Sequence, residues 1–145
     1  MKEVLAKINK VKKEIGSIQK DGKNPFFNSK YLTLAGLLGA VSDKLTDNGL
    51  NLTQTLDYFY DGESHITPVL KTVITDIESG EAIDSRMPLI GATDMQKMAS
   101  AVTYSRRYSI STMLGIIETD DDGEKAMGRS PEQQKNDYFN GKGGV

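Results

Sequence analysis

The 145-residue chain has no cysteine and no tryptophan, and His65 is its one histidine. Without thiols there is no disulfide framework, no thiolate zinc site and no cysteine nucleophile. A histidine metal cage or a Ser-His pair would rest on His65 alone, which reads as a surface or sheet residue near a strand start. No apolar run approaches the roughly 18 residues of a membrane span. The N-terminal MKEVLAKINKVKKE lacks the apolar core of a signal peptide. A soluble, cytoplasmic protein is expected. Neither GxxxxGK[ST], GxGxxG nor GxSxG occurs, and the GKGG at 141–144 opens no helix, so nothing supports nucleotide hydrolysis. No catalytic constellation and no cofactor site emerges, and the chain is read as a binding protein rather than an enzyme.

What is present is segregated charge. The net charge of −2 hides a basic residue range 1–31, with eight lysines against Glu3, Glu14 and Asp21, for +5. Residues 32–92 carry −6, residues 93–117 carry +2 and residues 118–145 carry −3. Two basic segments that meet in space would make a groove for an anionic polymer, whatever the average charge.

Residues 2–20 read as an amphipathic helix, with Val4, Leu5, Ile8, Val11, Ile15 and Ile18 on one face and most lysines on the other. Residues 21–31, DGKNPFFNSKY, read as a loop. There Phe26 and Phe27 either plug the core or stand among lysines and amides as stacking groups. Residues 33–48 predict a second helix, capped by Thr33, lined by Leu34, Leu37, Leu38, Val41 and Leu45, and stopped at Asn48-Gly49. Gly36 and Gly39 are expected to permit close packing. From residue 50 the pattern changes to period two, with Leu50, Leu52, Leu56, Tyr58 and Tyr60 at even positions and Gln54 the exception. Asp61-Gly62 and Glu78–Glu81 punctuate three strands, and Pro68 suggests an edge or a bulge. Residues 93–114 predict a long helix capped by Thr93 and stopped at Gly115, with an apolar stripe of Met95, Met98, Val102, Ile110 and Met113. Lys97, Ser100, Tyr104 and Arg107 fall within about 80° of one another on its other side. Arg106 points with the apolar stripe, so it needs an irregular helix or an acid or phosphate partner. The fold class is thus α+β: an antiparallel meander of about three strands packed with a long helix and N-terminal helices. Residues 1–117 form the core and 118–145 an acidic, glycine-containing tail, with one short helix near Pro131–Tyr138.

Glu118, Asp120, Asp122 and Gly123 stand at positions one, three, five and six of a calcium loop, but position twelve is Arg129. Neither an EF-hand nor a two-metal nuclease is supported, and no metal site is assigned. The strongest local signal is SAVTYSRRYS, residues 100–109, where paired arginines are flanked by Tyr104 and Tyr108. Arginine binds phosphate through its fork and tyrosine stacks on bases; a packed helix with a structural ion pair fits the same composition.

Two segments together resemble the ERF family of phage single-strand annealing proteins. One is KNPFFNSKYLTLAGLLGAV, residues 23–41, followed by Leu45 and the NGL ending at Leu50. The other is MQKMASAVTYSRRYSISTMLGI followed by ETDDDGE, within residues 95–124. The resemblance covers roughly residues 1–125. It implies ATP-independent annealing of single-stranded DNA to its complement in phage recombination and repair. It also implies a homo-oligomeric ring or helical filament, and a distant fold relation to the RecT and lambda Red beta annealers. A single-strand binding protein or an exonuclease is the further partner to be expected. On this reading Arg106, Arg107, Lys97 and Tyr104 form one wall of a DNA groove and Lys23, Asn24, Lys30 and Tyr31 the other, with Ser100 a further contact and Phe26 a wedge that separates or supports groups of bases. The alternative is a protein that protects single-stranded DNA without annealing it.

Overall fold

The computed structural model describes residues 1–120. Helix α1, Lys2–Ile15, buries Val4, Ile8 and Val11. It ends earlier than its apolar spacing predicts, because Gly16 takes φ +63° and turns the chain. Residues Ser17–Gln19 then form strand β1, which pairs in parallel with residues 117–119, a hundred positions away. Ile18 still packs against the core, from a strand rather than a helix. The next residues, expected as loop, form a short hairpin: β2, Gly22–Lys23, against β3, Lys30–Tyr31. The Asn24 N–H donates to the Ser29 carbonyl at 2.7 Å to close it.

Helix α2, Leu34–Asp47, has the expected cap, with the Thr33 hydroxyl accepting from the Gly36 N–H at 3.0 Å. It buries Leu37, Val41 and Leu45 and stops at Asn48 and Gly49, the latter at φ +69°. Gly36 is required, since a Cβ there would collide with the Asp21 carboxylate. Gly39 faces open space, so the expected close approach is absent there.

Strands β4, Leu50–Tyr60, β5, Ile66–Asp76, and β6, Ala82–Pro88, form an antiparallel sheet in the order β4-β5-β6. Residues 61–65 link the first two, and Asp61 organises them by accepting from the Glu63 N–H at 2.8 Å. Pro68 lies in the central strand, not at an edge. Its carbonyl accepts from the Leu89 N–H at 2.9 Å, so the position of its missing N–H faces the side where β6 has already ended. The ladder to β4 loses nothing.

Helix α3, Met95–Leu114, is capped by Asp94 rather than Thr93, its carboxylate accepting from the Lys97 N–H at 2.8 Å. Gly115 ends it in the left-handed conformation. The buried positions are Ser105, Ser109, Ile110 and Leu114, whereas Met95 is 84% exposed. The serines replace part of the expected apolar stripe because they let α3 lie close to the sheet. Ser109 Oγ approaches Met87 Sδ, and Ser85 Oγ donates to Met113 Sδ at 3.3 Å. Strand β7, Ile117–Thr119, completes the pairing with β1, so regular structure runs past residue 117. The expected helix near Pro131–Tyr138 lies outside the described residues.

One core joins these elements: Val4, Ile8 and Val11 of α1, Leu37, Val41 and Leu45 of α2, Leu50 and Ile74 of the sheet, and Ile110 and Leu114 of α3. Asp76, at the buried end of β5, ties α1 to the sheet. Its carboxylate accepts from Lys7 Nζ at 2.6 Å, Ser79 Oγ at 2.8 Å and the Glu78 N–H at 3.1 Å. Lys7, chiefly, holds the Asp76 carboxyl below its ordinary value of 3.8. A carboxyl lowered in the folded state contributes stability that is complete above the ordinary value and is lost as pH falls through the folded one. Thermal unfolding followed from pH 6 to pH 2.5 should therefore show a fall at the acid end. Asp76→Asn should be less stable at pH 6 and lose less stability across the same interval. A parallel fall in both proteins would remove Asp76 from the account.

Candidate nucleic-acid interface

The β2–β3 hairpin is tied to the start of α2 before it reaches α3. Asp21 accepts from the Thr33 N–H and from Thr33 Oγ1, each at 2.7 Å. The Thr33 N–H in particular keeps the Asp21 carboxyl below its ordinary value, so it remains an anion in this turn. Gly22 gives Tyr31 its place, since a Cβ at residue 22 would sit 2.8 Å from the tyrosine ring.

Arg107 of α3 meets this hairpin. Its Nη1 donates to the Leu32 carbonyl at 3.1 Å. The guanidinium carbon lies 5.3 Å from the Tyr31 ring centroid, 5.5 Å from Tyr104 and 5.3 Å from Tyr108. Tyr104 and Tyr108, one helical turn apart, have ring centroids 4.3 Å apart. Arg107 has no carboxylate partner among the described residues, so its charge is shared with π faces instead of being neutralised. The Tyr108 hydroxyl pushes the Tyr104 phenol above its ordinary value, which leaves that phenol neutral at physiological pH. Tyr31, Leu34, Ser100, Thr103, Tyr104 and Arg107 line a groove of about 490 Å³. A second depression of about 400 Å³ lies on the hairpin, where Lys20, Lys23 and Lys30 stand with Asp21.

The structure thus brings Tyr31, Ser100, Tyr104 and Arg107 to one groove, with Lys23 and Lys30 opposite each other across the hairpin ladder. Asn24 shapes the hairpin tip, its Oδ1 accepting from the Phe26 N–H at 2.9 Å. Phe26 and Phe27 are 89% and 80% exposed, which rules out the core plug. Lys97 does not line the groove; its Nζ stays at the helix start, 3.8 Å from Asp94 and 3.3 Å from Thr93 Oγ1. Arg106 departs furthest from the expected wall. One residue turns a helix by about 100°, which sends Arg106 to the sheet while Arg107 meets the hairpin. Arg106 Nε donates to Gln54 Oε1 at 3.1 Å, and Gln54 Nε2 donates back to the Arg106 carbonyl at 3.2 Å. The two exceptions to the apolar patterns of β4 and α3 are therefore each other's partners.

Sequence reasoning left Tyr108, Thr103 and Lys20 out of the site. Tyr108 was visible as the residue one turn after Tyr104. Lys20 was not, because residues 17–20 read as helix and its position depends on β7. Of the two described members of the calcium-loop spacing, Asp120 pairs with Lys20 at 3.2 Å, and Glu118, exposed on β7, lines a depression together with Lys20, Lys30, Tyr31 and Arg107.

Exposed aromatic rings around an arginine that has no carboxylate bonded to it among the described residues, beside three lysines, can hold an anionic chain and stack its bases. Comparison with curated proteins and with solved structures returns no match. The family model described as the ERF superfamily matches residues 4–140, which extends past residue 125 into the segment read as a tail. With nearly the whole chain matched, and with the Y-x-R-R-Y helix folded against the hairpin that precedes α2, the chain belongs to the ERF superfamily of phage single-strand annealing proteins.

Proposed function

We propose that this protein binds single-stranded DNA along the groove between the β2–β3 hairpin and α3, and anneals it to a complement without ATP. The observation that carries this reading is Arg107, framed by Tyr31, Tyr104 and Tyr108 near Lys20, Lys23 and Lys30. Lysine and arginine attract the phosphates without choosing a sequence. Tyrosine faces support the bases without covering their pairing edges. Pairing with the complement then supplies both specificity and free energy, so hydrolysis is unnecessary. The protein acts as a binding scaffold in the cytoplasm of the infected cell, not as an enzyme.

The scaffold is a homo-oligomer in this reading. Strands β4 and β6 are the two edges of the main sheet. Along the end of the β4–β5 hairpin, Leu56, Tyr58, Phe59, Tyr60 and Ile66 are all exposed. A sheet edge that ends in such an apolar strip is an association surface. Repeated subunits would tile the groove into a continuous track, either a ring or a helical filament.

The test is annealing of two labelled complementary oligonucleotides without ATP, at two salt concentrations and with a chelator, with light scattering on the same sample. Acceleration that survives chelation and weakens with salt, from a species heavier than the 15.9 kDa chain, is the expected result. Binding without acceleration would replace the annealer with a strand protector, and a monodisperse monomer would remove the tiled track.

A further inference from the structure

On the far side of α3 from the groove lies a cleft of about 280 Å³ between α2 and β4. Arg106 and Gln54 line it with Ser42, Thr46 and leucines of α2 and β4, and Asn51, whose side-chain amide is bonded to Thr53 Oγ1 at 2.8 Å, borders it from the β4 backbone. Arg106 is locked there. Its Nε and its carbonyl are both bonded to the Gln54 amide, and Gln54 Nε2 also donates to Thr72 Oγ1 at 3.0 Å in the buried layer of the sheet. The two terminal amino groups of Arg106 have no hydrogen-bond or carboxylate partner among the described residues. Neither are they buried orphans, since Ser111 Oγ alone fills that description among those residues. A partly buried guanidinium is costly to leave unneutralised. Here an amide, a hydroxyl and a backbone carbonyl orient it, and none of the described residues supplies an acid.

We propose that this cleft is a second oxyanion site, which takes a phosphate group on the Arg106 fork. A guanidinium held at Nε presents its outer N–H groups in a fixed plane, the geometry that matches two oxygens of a phosphate. Ser42 adds a neutral hydroxyl at the rim. Lysine would not serve, because its single ammonium has no second edge for Gln54 to hold. The site is independent of the groove reading: Arg107 and Arg106 lie on different sides of α3, and either can bind an anion without the other.

The experiment is a titration of the full chain with inorganic phosphate, read by amide NMR. Saturable shifts at Ser42, Thr46, Asn51 and the Gln54 side-chain amide are expected. Arg106→Lys should weaken the response at least ten-fold. Ser42→Asp, at an exposed helix position, keeps Arg106 and its packing but puts a carboxylate at the rim, and should weaken it to a similar degree. A second titration uses an oligonucleotide with 5′-hydroxyl ends. If it moves the same resonances and competes with phosphate, the phosphate comes from a DNA strand. If only inorganic phosphate moves them, the site takes a free anion. Tyr31 and Tyr104 amides in the same spectra report on the groove, so failure there is separable from failure in the cleft. Absence of saturable shifts in the cleft would overturn the proposal, as would a response indifferent to Ser42→Asp. Cleft shifts that follow protein concentration rather than phosphate would also overturn it, since a carboxylate from a second copy would then be the occupant.

Discussion

Replacing Tyr104 with alanine should weaken binding of a single-stranded oligonucleotide roughly 5- to 150-fold, the range for loss of one aromatic–base stack. Fluorescence anisotropy at several salt concentrations should show the loss as a shift at constant slope. Tyr104 carries no charge and releases no counterion when DNA binds. The Lys23→Gln, Lys30→Gln pair should behave differently. Each lost phosphate contact on a single strand lowers the slope of log affinity against log salt by about 0.7. Two cross-strand lysines that touch phosphate therefore leave a slope shallower by about 1.4. Tyr104→Ala changing the slope, or the lysine pair leaving it intact, would mean that rings and cations have been assigned the wrong roles. Tyr31 should follow Tyr104, because both faces contact Arg107 from opposite elements.

The second large effect is on stability. Ile110→Ala should cost about 2–5 kcal/mol, the range for truncating a fully buried aliphatic side chain to alanine. Ile110 has no exposed surface and lies in the core shared by all three helices and the sheet. Chemical unfolding should show a lower midpoint with an unchanged denaturant dependence. A drop well under 1 kcal/mol would mean that α3 is held mainly elsewhere. The consequence for function is direct, because Ile110 follows Arg107 by less than one turn and the same packing seats the tyrosine faces against the hairpin.

Much of this molecule is legible in its sequence. The Thr33 cap, the Asn48-Gly49 stop, the Gly115 stop and the three-strand meander each depend on local chemistry: a hydroxyl next to free N–H groups, a residue tolerant of positive φ, a period of two. The alignment of Ser100, Tyr104 and Arg107 on one side of α3 follows from helical spacing alone. The errors share a different cause. Ile15 and Ile18 suit a helix face, yet β1 forms because β7 arrives beside it from residues 117–119. Met95 was given to the core and Ser105 and Ser109 were not. Apolar spacing measures hydrophobicity, and α3 needs small residues where it lies close to the sheet. Thr93 and Asp94 are both capable caps, and the backbone, not the residue type, chose Asp94.

Gln54 and Arg106 mark the boundary most clearly. Each was readable as a polar residue at an apolar position, and Arg106 as one in need of a partner. Their pairing across 52 positions was not, because nothing in either neighbourhood refers to the other. Residue types and periodicity settled the three helices and the three-strand meander, and which side chains are chemically able to hold a nucleic acid, since those depend on interactions within a few residues. Which arginine faces the tyrosines, which turns to the sheet, and whether Phe26 is buried or exposed were decided when elements far apart in the chain packed together. Only that packing determines which neighbours a side chain meets and how much water it keeps.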